Sequence, residues 1–147
     1  MPTYVENKRA HFDYYILETY EAGIELIGFE VKAIRGGHMN LMGAFVVPRA
    51  NELYLTNATV SRYQPQNTPR DYNPERSRRL LLHRNEIATL IGKSRESGLT
   101  LIPIRVYSKR RHIKLLLGVA RRKKKLDKRE AIKKRYSERE IQKATSH

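Results

Sequence analysis

The sequence of 147 residues contains no cysteine and no tryptophan. The absence of cysteine excludes disulfides, thiolate catalysis and cysteine-built zinc sites. No uninterrupted run of about 18 apolar residues is present, which excludes a membrane-spanning helix. The N-terminus has no basic stretch followed by an apolar one, so we expect no secretory signal. These absences predict a soluble, cytoplasmic protein.

Motifs of catalysis are missing as well. The five histidines are scattered, and the sequence has no His-Glu-x-x-His pattern, no Gly-x-x-x-x-Gly-Lys-Ser/Thr loop and no Gly-x-Ser-x-Gly elbow. Glu21 and Glu30 could form a carboxylate pair, but in a basic protein such residues are more often salt-bridge partners. We therefore expect no metal, no cofactor and no enzymatic activity. A nuclease built from a few Asp, Glu and Lys residues stays open as an alternative.

Positive charge is in large excess. Lysine and arginine number 30 against 15 aspartates and glutamates, for a net charge of +15, and residues 121–147 alone hold 12 basic and four acidic side chains. Such charge binds phosphate through counterion release and predicts a nucleic-acid partner. The last 27 residues bury too little apolar surface to fold alone. We expect a tail that is disordered when free and helical on an anionic surface; a solvated tail that aids solubility is the alternative.

Residues 1–120 read mostly as short strands separated by turns. Strands are predicted at 12–20, 24–31, 43–47, 52–60, 99–107 and 113–120, with Gly28 as a bulge. A helix is predicted at 85–97 and a short one near 31–35, a polar loop at 63–74, and a basic hairpin tip at 108–112. The pattern predicts a mainly β protein: a small, closed OB-like barrel of about six strands with one to three helices over 1–120, then a basic tail over 121–147.

Aromatic residues suggest how such a barrel would hold RNA. The chain has nine tyrosines, of which Tyr14, Tyr15 and Tyr20 lie in predicted strands and are expected in the core. Tyr63 and Tyr72 lie beside the polar loop and are candidates for stacking on bases. From composition and pattern alone, a ribosomal or general single-strand-binding barrel remains as possible as a specific RNA adaptor.

Seven ordered blocks resemble the bacterial small protein B family, the SsrA-binding proteins that partner transfer-messenger RNA (tmRNA). The blocks are NKRA (7–10), YEAGI (20–24), GFEVKAIR (28–35), RRLLLH (78–83), GLTLIP (98–103), KLLLGVA (114–120) and KKKLDKR (123–129). The resemblance implies an OB-like barrel that binds the tRNA-like domain of tmRNA. It also implies a tail that occupies the empty decoding site and mRNA channel of a stalled ribosome, where it becomes helical during trans-translation and ribosome rescue.

The resemblance also assigns roles to residues. Glu21, Leu81 and Lys114 match family positions tied to RNA binding: Lys114 would contact phosphate or base, Glu21 would orient a neighbouring base or donor, and Leu81 would pack beneath them. The predicted RNA-binding set further contains Asn7, Lys8, Arg9, Lys32, Arg35, Arg78 and Arg79. The predicted ribosome-binding residues of the tail are Lys123, Lys124, Asp127, Lys128 and Arg129. Two tail positions depart from the family, because Arg122 replaces a usual glycine and Leu126 a usual histidine or tyrosine. The expected partners are tmRNA and the ribosome, without a membrane, and the chain is expected to be a monomer.

Overall fold

The computed structural model describes residues 2–62 and 68–145, and β-structure dominates it. The strands are β1 (Thr3–Glu6), β2 (Tyr14–Ile24), β3 (Met39–Asn40), β4 (Phe45–Arg49), β5 (Glu52–Thr56), β6 (Thr59–Val60), β7 (Arg78–Leu81), β8 (Leu99–Lys109) and β9 (His112–Arg122). The helices are α1 (Ala10–Asp13), α2 (Gly28–Arg35), α3 (Arg84–Ser94) and α4 (Lys125–Thr145). The mainly β class predicted from the sequence is confirmed, with nine strands and four helices in the described chain.

Seven of these strands form one antiparallel sheet in the order β1-β8-β9-β2-β7-β5-β4, and β3 pairs with β6 separately. Among the described residues the outermost strands β1 and β4 are not paired with each other, so the predicted full closure of the barrel is wrong. The sheet nevertheless encloses a single large core, to which α2 and α3 add buried residues such as Ile34 and Leu90. Helices thus cover apolar surface that a closed barrel would bury by itself.

The prediction for residues 12–35 needs three corrections. A helical turn, α1, precedes β2, and β2 runs unbroken through the break predicted at 21–23 because it pairs along most of its length with β9. Gly28 is not a bulge but the first residue of α2, the helix predicted only for 31–35. At the start of α2 the Glu30 carboxylate accepts a hydrogen bond from the backbone N–H of Ile27 at 2.9 Å, which caps the helix.

The second half of the chain follows its pattern more closely. The helix predicted at 85–97 is α3, and the two last apolar runs form the β8–β9 hairpin. Only Arg110 and Arg111 lie at its tip, with positive φ values of 50° and 69°. Strand β9 continues to Arg122, two residues beyond the predicted end of the barrel. Residues 63–67 of the predicted loop, including Tyr63, lie outside the described residues.

Candidate RNA-binding surface

Leu81 and Lys114 flank Gly23 on the outer face of the sheet. Gly23 of β2 is paired with Leu81 of β7 on one side and with Lys114 of β9 on the other. Directly paired residues project from the same face. A Cβ atom at position 23 would lie 3.2 Å from the Leu81 Cβ, so glycine allows Leu81 to lie against β2. Leu81 is 46% exposed and offers an apolar surface beside the Lys114 ammonium.

Glu21 lies on the same face, two residues before Gly23. Its carboxylate accepts hydrogen bonds from the Tyr107 hydroxyl and from the Lys109 Nζ, the latter at 3.2 Å. The hydrogen bond from Tyr107 holds the pKa of Glu21 below its ordinary value against the opposing effect of burial, and Lys109 and Lys114 add to the lowering. Burial and the neighbouring Glu21 raise the pKa of Tyr107 to about 12. Glu21 is therefore a carboxylate that holds the Tyr107 hydroxyl and the Lys109 ammonium in place; its role in RNA binding stays a prediction.

A cleft of about 310 Å³ opens beside these residues between α2 and the β8–β9 hairpin. Leu26, Val31 and Leu81 give it an apolar floor, and Arg35, Arg111 and Lys114 give it cationic walls. The Arg35 Nη2 donates to the carbonyl of Arg111 at 2.9 Å, which joins the helix to the hairpin tip. An apolar floor with cations around it suits a nucleobase flanked by phosphates. We call this site the basic cleft.

Arg78 does not belong to this surface, and its predicted role in RNA binding is corrected here. Arg78 and Glu30 are both fully buried, and the Arg78 Nη2 lies 2.6 Å from the Glu30 Oε2. Arg76 forms a second ion pair with the same carboxylate. Burial alone would raise the pKa of Glu30, but the hydrogen bonds from Arg76 and the Ile27 backbone, with the charge of Arg78, lower it overall. The cluster holds α2, and with it Lys32 and Arg35, against the sheet.

Tyr72 belongs to the same buried cluster and is corrected as well. It is 7% exposed, so it is not available to stack on a base. Its hydroxyl is 2.9 Å from the Glu30 Oε2 and accepts a hydrogen bond from the Arg78 Nη2 at 3.0 Å. Burial, followed by the contact with Glu30, raises the pKa of Tyr72 to about 12. Its ring packs edge-on against Phe29 with a centroid distance of 4.5 Å, which adds a second tie to α2.

The remaining predicted RNA-binding residues fall into two places. Arg79 lies on the outer face of β7 and forms a salt bridge of 2.8 Å with Glu25. Asn7, Lys8 and Arg9 lie together outside the basic cleft, near the start of β2, where they line a second cleft of about 450 Å³. There Asn7 donates its side-chain N–H to the carbonyl of Pro103 at 2.9 Å, and Lys8 and Arg9 are exposed. The structure therefore does not bring the predicted set together into one site.

Sequence reasoning missed Tyr107, Lys109, Arg110 and Arg111 as individual members of the surface. The basic hairpin tip was visible in the sequence, but the register was not. Because Tyr107 is paired with Lys114, and Lys109 with His112, the alternation of side chains brings Tyr107 and Lys109 to Glu21. A two-residue turn would give the register of β8 against β9, but the approach to Glu21 also depends on the pairing of β9 with β2.

The predicted ribosome-binding residues of the tail differ in their exposure. Lys123, Asp127 and Lys128 are partly buried, with Lys123 and Lys128 in contact with α1, whereas Lys124 and Arg129 are exposed. Leu126, which stands where the family has a histidine or tyrosine, is 66% exposed. No helix among the described residues is long and apolar enough to cross a membrane.

A mainly β domain with an exposed basic cleft and a strongly basic helical tail defines a class of RNA-binding proteins. Comparison with known proteins makes the assignment specific. The family model described as SmpB protein matches residues 4–147. The chain belongs to the SmpB family.

Individual relatives agree with this assignment. The chain is 48% identical over 139 residues to the SsrA-binding protein of Anoxybacillus flavithermus, covering 95% of this chain and 90% of the relative. It is 49% identical over 139 residues to that of a Geobacillus species, covering 95% and 89%. Among solved structures it resembles a chain from "tmRNA-SmpB: a journey to the center of the bacterial ribosome", with a TM-score of 0.68, 44% identity, and coverage of 87% of this chain and 93% of that one.

Proposed function

We propose that this protein is an RNA-binding adaptor of trans-translation. It binds the tRNA-like domain of tmRNA with its basic cleft and delivers that RNA to stalled ribosomes. Its tail occupies the empty decoding site and mRNA channel. The observation that supports the proposal is that the basic cleft and the start of the basic tail lie at opposite ends of one strand, β2.

Strand β2 sets the spacing between these regions. Gly23, at the cleft end, is paired with Lys114, whereas Tyr14, at the other end, is paired with Arg122, from which the tail leaves. The nine steps from Tyr14 to Gly23 span roughly 30 Å at the usual rise of a strand. Hydrogen bonds to β9 on one side make this strand a rigid spacer. An adaptor needs such a fixed distance, because RNA held at one end must be presented in register with the ribosome at the other.

Helix α4 provides the reach for the second contact. Its 21 residues correspond to roughly 31 Å at 1.5 Å per residue, which is long enough to extend beyond the barrel into a narrow channel. Dense positive charge would attract it to ribosomal RNA. For the free protein we keep the prediction made from the sequence, which is that the tail is disordered until it meets the ribosome and becomes helical there.

The proposal includes the absence of catalysis, a cytoplasmic location beside ribosomes and a monomeric state. Membership in a family of RNA-binding adaptors supports the first of these. The nuclease alternative predicts cleavage of RNA in a divalent metal and its loss in chelator. Incubating labelled RNA with the purified chain under both conditions separates the two, since an adaptor leaves the RNA intact in each.

The test of the proposal begins with RNA affinity. The tRNA-like domain of tmRNA is titrated with the full chain at two salt concentrations, against ordinary tRNA and a random RNA as competitors. We expect tight binding that survives higher salt and excess competitor. Lys114→Ala should weaken it by about 1–2 kcal/mol, the usual loss for a charge-assisted contact, and Lys125→Ala is the matched removal of one charge outside the cleft. Equal, steeply salt-dependent binding to all three RNAs would contradict the proposal and favour a general RNA-binding barrel.

A truncation tests the second region. Strand β9 ends at Arg122, and the backbone N–H of Lys123 donates a hydrogen bond to the carbonyl of Asp13. The chain should therefore be truncated after Lys124 and not after residue 120, where the tail was predicted to begin. Removing residues 125–147 should leave RNA affinity nearly unchanged and abolish peptide tagging on ribosomes stalled at the end of a message. Full tagging by the truncated chain would refute the two-region model.

A further inference from the structure

Lys109 is a cation of the outer face that does not line the basic cleft. It is the last residue of β8 and lies two positions after Tyr107, which is paired with Lys114 of β9. Residues two apart in a strand project from the same face, and a residue is about 7–8 Å from its diagonal neighbour on the next strand. Lys109 and Lys114 are such diagonal neighbours. The cationic surface therefore extends from the cleft across β9 to the end of β8.

The Glu21 carboxylate holds the Lys109 side chain in one place. The Lys109 Nζ lies 3.2 Å from the Glu21 Oε1 and 3.4 Å from the Oε2, and the lysine and glutamate side chains are 43% and 34% exposed. An ammonium group has three N–H donors, and two carboxylate oxygens engage at most two of them. The ion pair therefore leaves at least one donor of Lys109 for a ligand.

Tyr107 fixes the carboxylate in turn. Its hydroxyl donates to the Glu21 Oε2, the residue is 6% exposed, and the Arg105 guanidinium lies over its ring at 5.3 Å from the centroid. The backbone of Tyr107 is paired on both sides, with β1 and with β9. Because the hydrogen bond from Tyr107 lowers the pKa of Glu21, the carboxylate is charged at neutral pH. A rigid tyrosine thus supports a carboxylate, which in turn supports the flexible Lys109 side chain.

A carboxylate on an RNA-binding surface requires an explanation, because it repels phosphate. The charges of Lys109 and Lys114 both act on Glu21, so this part of the surface remains cationic. A mobile lysine side chain loses rotamers when it binds phosphate, and this loss weakens binding by roughly two- to tenfold for each side chain that becomes ordered. A lysine already held by a carboxylate has lost much of that freedom before the RNA arrives. Glu21 can therefore strengthen RNA binding despite its charge.

Both oxygens of Glu21 have a donor within the protein, Tyr107 for Oε2 and Lys109 for Oε1. We propose that Lys109 contacts a phosphate of the RNA beside the basic cleft, and that Glu21 and Tyr107 are positioning residues that act on the RNA through Lys109. The carboxylate then does not read a base. The contact of Lys109 with RNA rests on the proposed function, whereas the positioning of Lys109 by Glu21 does not.

The other face of β2 carries a matched set of side chains. The Tyr20 hydroxyl donates to the Glu18 Oε2 at 3.2 Å, and the Lys93 Nζ lies 3.6 Å from the Glu18 Oε1, with the lysine and glutamate side chains 33% and 44% exposed. Glu18 and Tyr20 are at odd spacings from Glu21 along the strand, so they project from the opposite face, toward α3. The same three residue types thus lie together on both faces of β2, which gives each variant a control within the same molecule.

The first experiment measures the affinity of the full chain for the tRNA-like domain of tmRNA at several salt concentrations. Removing a negative charge normally strengthens binding to a polyanion, whereas we expect Glu21→Gln to weaken it by about two- to tenfold. Lys109→Met should weaken it at least as much and lower the salt dependence by about one phosphate contact. Adding Glu21→Gln to Lys109→Met should cause no further loss, since the carboxylate acts through that lysine. Glu18→Gln and Lys93→Met should bind as the wild type does.

These variants distinguish the two ways in which Glu21 can act. If Glu21→Gln weakens binding as much in the Lys109→Met background as in the wild type, the carboxylate contacts the RNA itself and the proposal is wrong. Wild-type affinity in either single variant, or an equal loss in Glu18→Gln, would also overturn it. Thermal melts should give wild-type midpoints throughout, since exposed ion pairs contribute little to stability. A Glu21→Gln chain that loses stability together with affinity would reduce Glu21 to a structural role.

The second experiment tests the positioning without RNA. NMR relaxation of the lysine side chains measures the mobility of each ammonium group in the free chain. We expect Lys109 to be less mobile than Lys8, which is exposed, and to become more mobile in Glu21→Gln and in Tyr107→Phe but not in Glu18→Gln. Equal mobility of Lys109 in the wild type and in Glu21→Gln would refute the positioning. If the wild type binds the tRNA-like domain no better than ordinary tRNA, the proposed function fails, while this measurement still judges the role of Glu21.

Discussion

Arg78 and Arg79 are neighbours on β7, yet they should respond in opposite ways to the same substitution. The Arg78 side chain is 0% exposed and the Arg79 side chain 40% exposed, because successive residues of a strand face opposite sides of the sheet. Replacing each by Met removes one guanidinium and keeps a long apolar side chain. The pair is therefore a matched test of interior and surface charge.

The expected magnitude follows from what Arg78 contacts. Its guanidinium donates to the Glu30 carboxylate and to the backbone carbonyls of Ala58, Pro74 and Arg76, at 2.6–3.1 Å. In Arg78→Met the buried charge of Glu30 loses one of its two arginine partners, and three backbone carbonyls each lose a hydrogen-bond donor. Breaking a buried ion pair of this kind costs about 3–5 kcal/mol. In a chain of this size that loss lowers the unfolding midpoint by roughly 10–20 °C.

The assay is thermal and urea denaturation, each followed by circular dichroism, with RNA affinity measured under conditions in which the variant is folded. Arg78→Met should lose stability and keep its affinity, whereas Arg79→Met should keep its unfolding midpoint, since exposed ion pairs contribute little. If Arg78→Met is too unstable to measure, Tyr72→Phe removes one hydrogen bond of the cluster and should cost about 1 kcal/mol. Wild-type stability of Arg78→Met together with weaker RNA binding would refute the assignment of Arg78 to the interior.

Three further predictions concern Glu30, Tyr107 and the tip of the β8–β9 hairpin. The pKa of Glu30 is lower in the folded protein than in the unfolded chain. Its contribution to the free energy of unfolding is therefore complete above the ordinary pKa of a glutamate and is lost as the pH falls through the folded value. In Glu30→Gln the free energy of unfolding should vary less with pH in acid, which urea titrations from pH 7 to pH 3 would measure. Tyr107→Phe removes the donor that lowers the pKa of Glu21 and should raise that pKa, as read from the carboxyl carbon shift by NMR; an unchanged value would contradict the assigned hydrogen bond. Replacing Arg110 and Arg111 by Asn and Gly should stabilise the hairpin by about 1–2 kcal/mol, because both arginines have positive φ. The same change should lower the salt dependence of RNA binding by the equivalent of up to two phosphate contacts. No gain in stability would show that the turn is not strained.

Local pattern was a good guide where the sheet is built from alternating apolar residues. The β8–β9 hairpin and helix α3 were predicted near their observed bounds because their apolar residues recur with the period of a strand or a helix. The segment 24–31 was predicted as a strand because it is rich in apolar residues, although the alternation leaves neither face cleanly polar. In the structure Gly28 begins α2, and the buried contact of Glu30 with Arg78 holds that helix in place. That contact joins residues 48 positions apart, which no local pattern contains.

The candidate site shows the same division. The resemblance placed Glu21, Leu81 and Lys114 in one set, and the paired strands bring Leu81 and Lys114 to the two sides of Gly23. Tyr107 and Lys109 were missed because their proximity to Glu21 depends on the pairing of β8 and β9 with β2. The ion pair between Asp13 and Lys128 was missed as well, because nothing near Asp13 in the sequence indicates Lys128.

The sequence by itself determined the class of the molecule: the charge of the tail, the absence of cysteine, the strand-rich body and the ordered blocks of the SmpB family are all properties of residue type and order. Only the tertiary structure decided which charges are free to meet RNA. Arg78 and Arg79, or Lys128 and Arg129, are chemically similar residues, yet in each pair the first is held in an ion pair with little exposed surface and the second is more exposed. The physical reason is that burial and ion pairing depend on the face a residue occupies and on distant segments packed against that face, and folding alone fixes both.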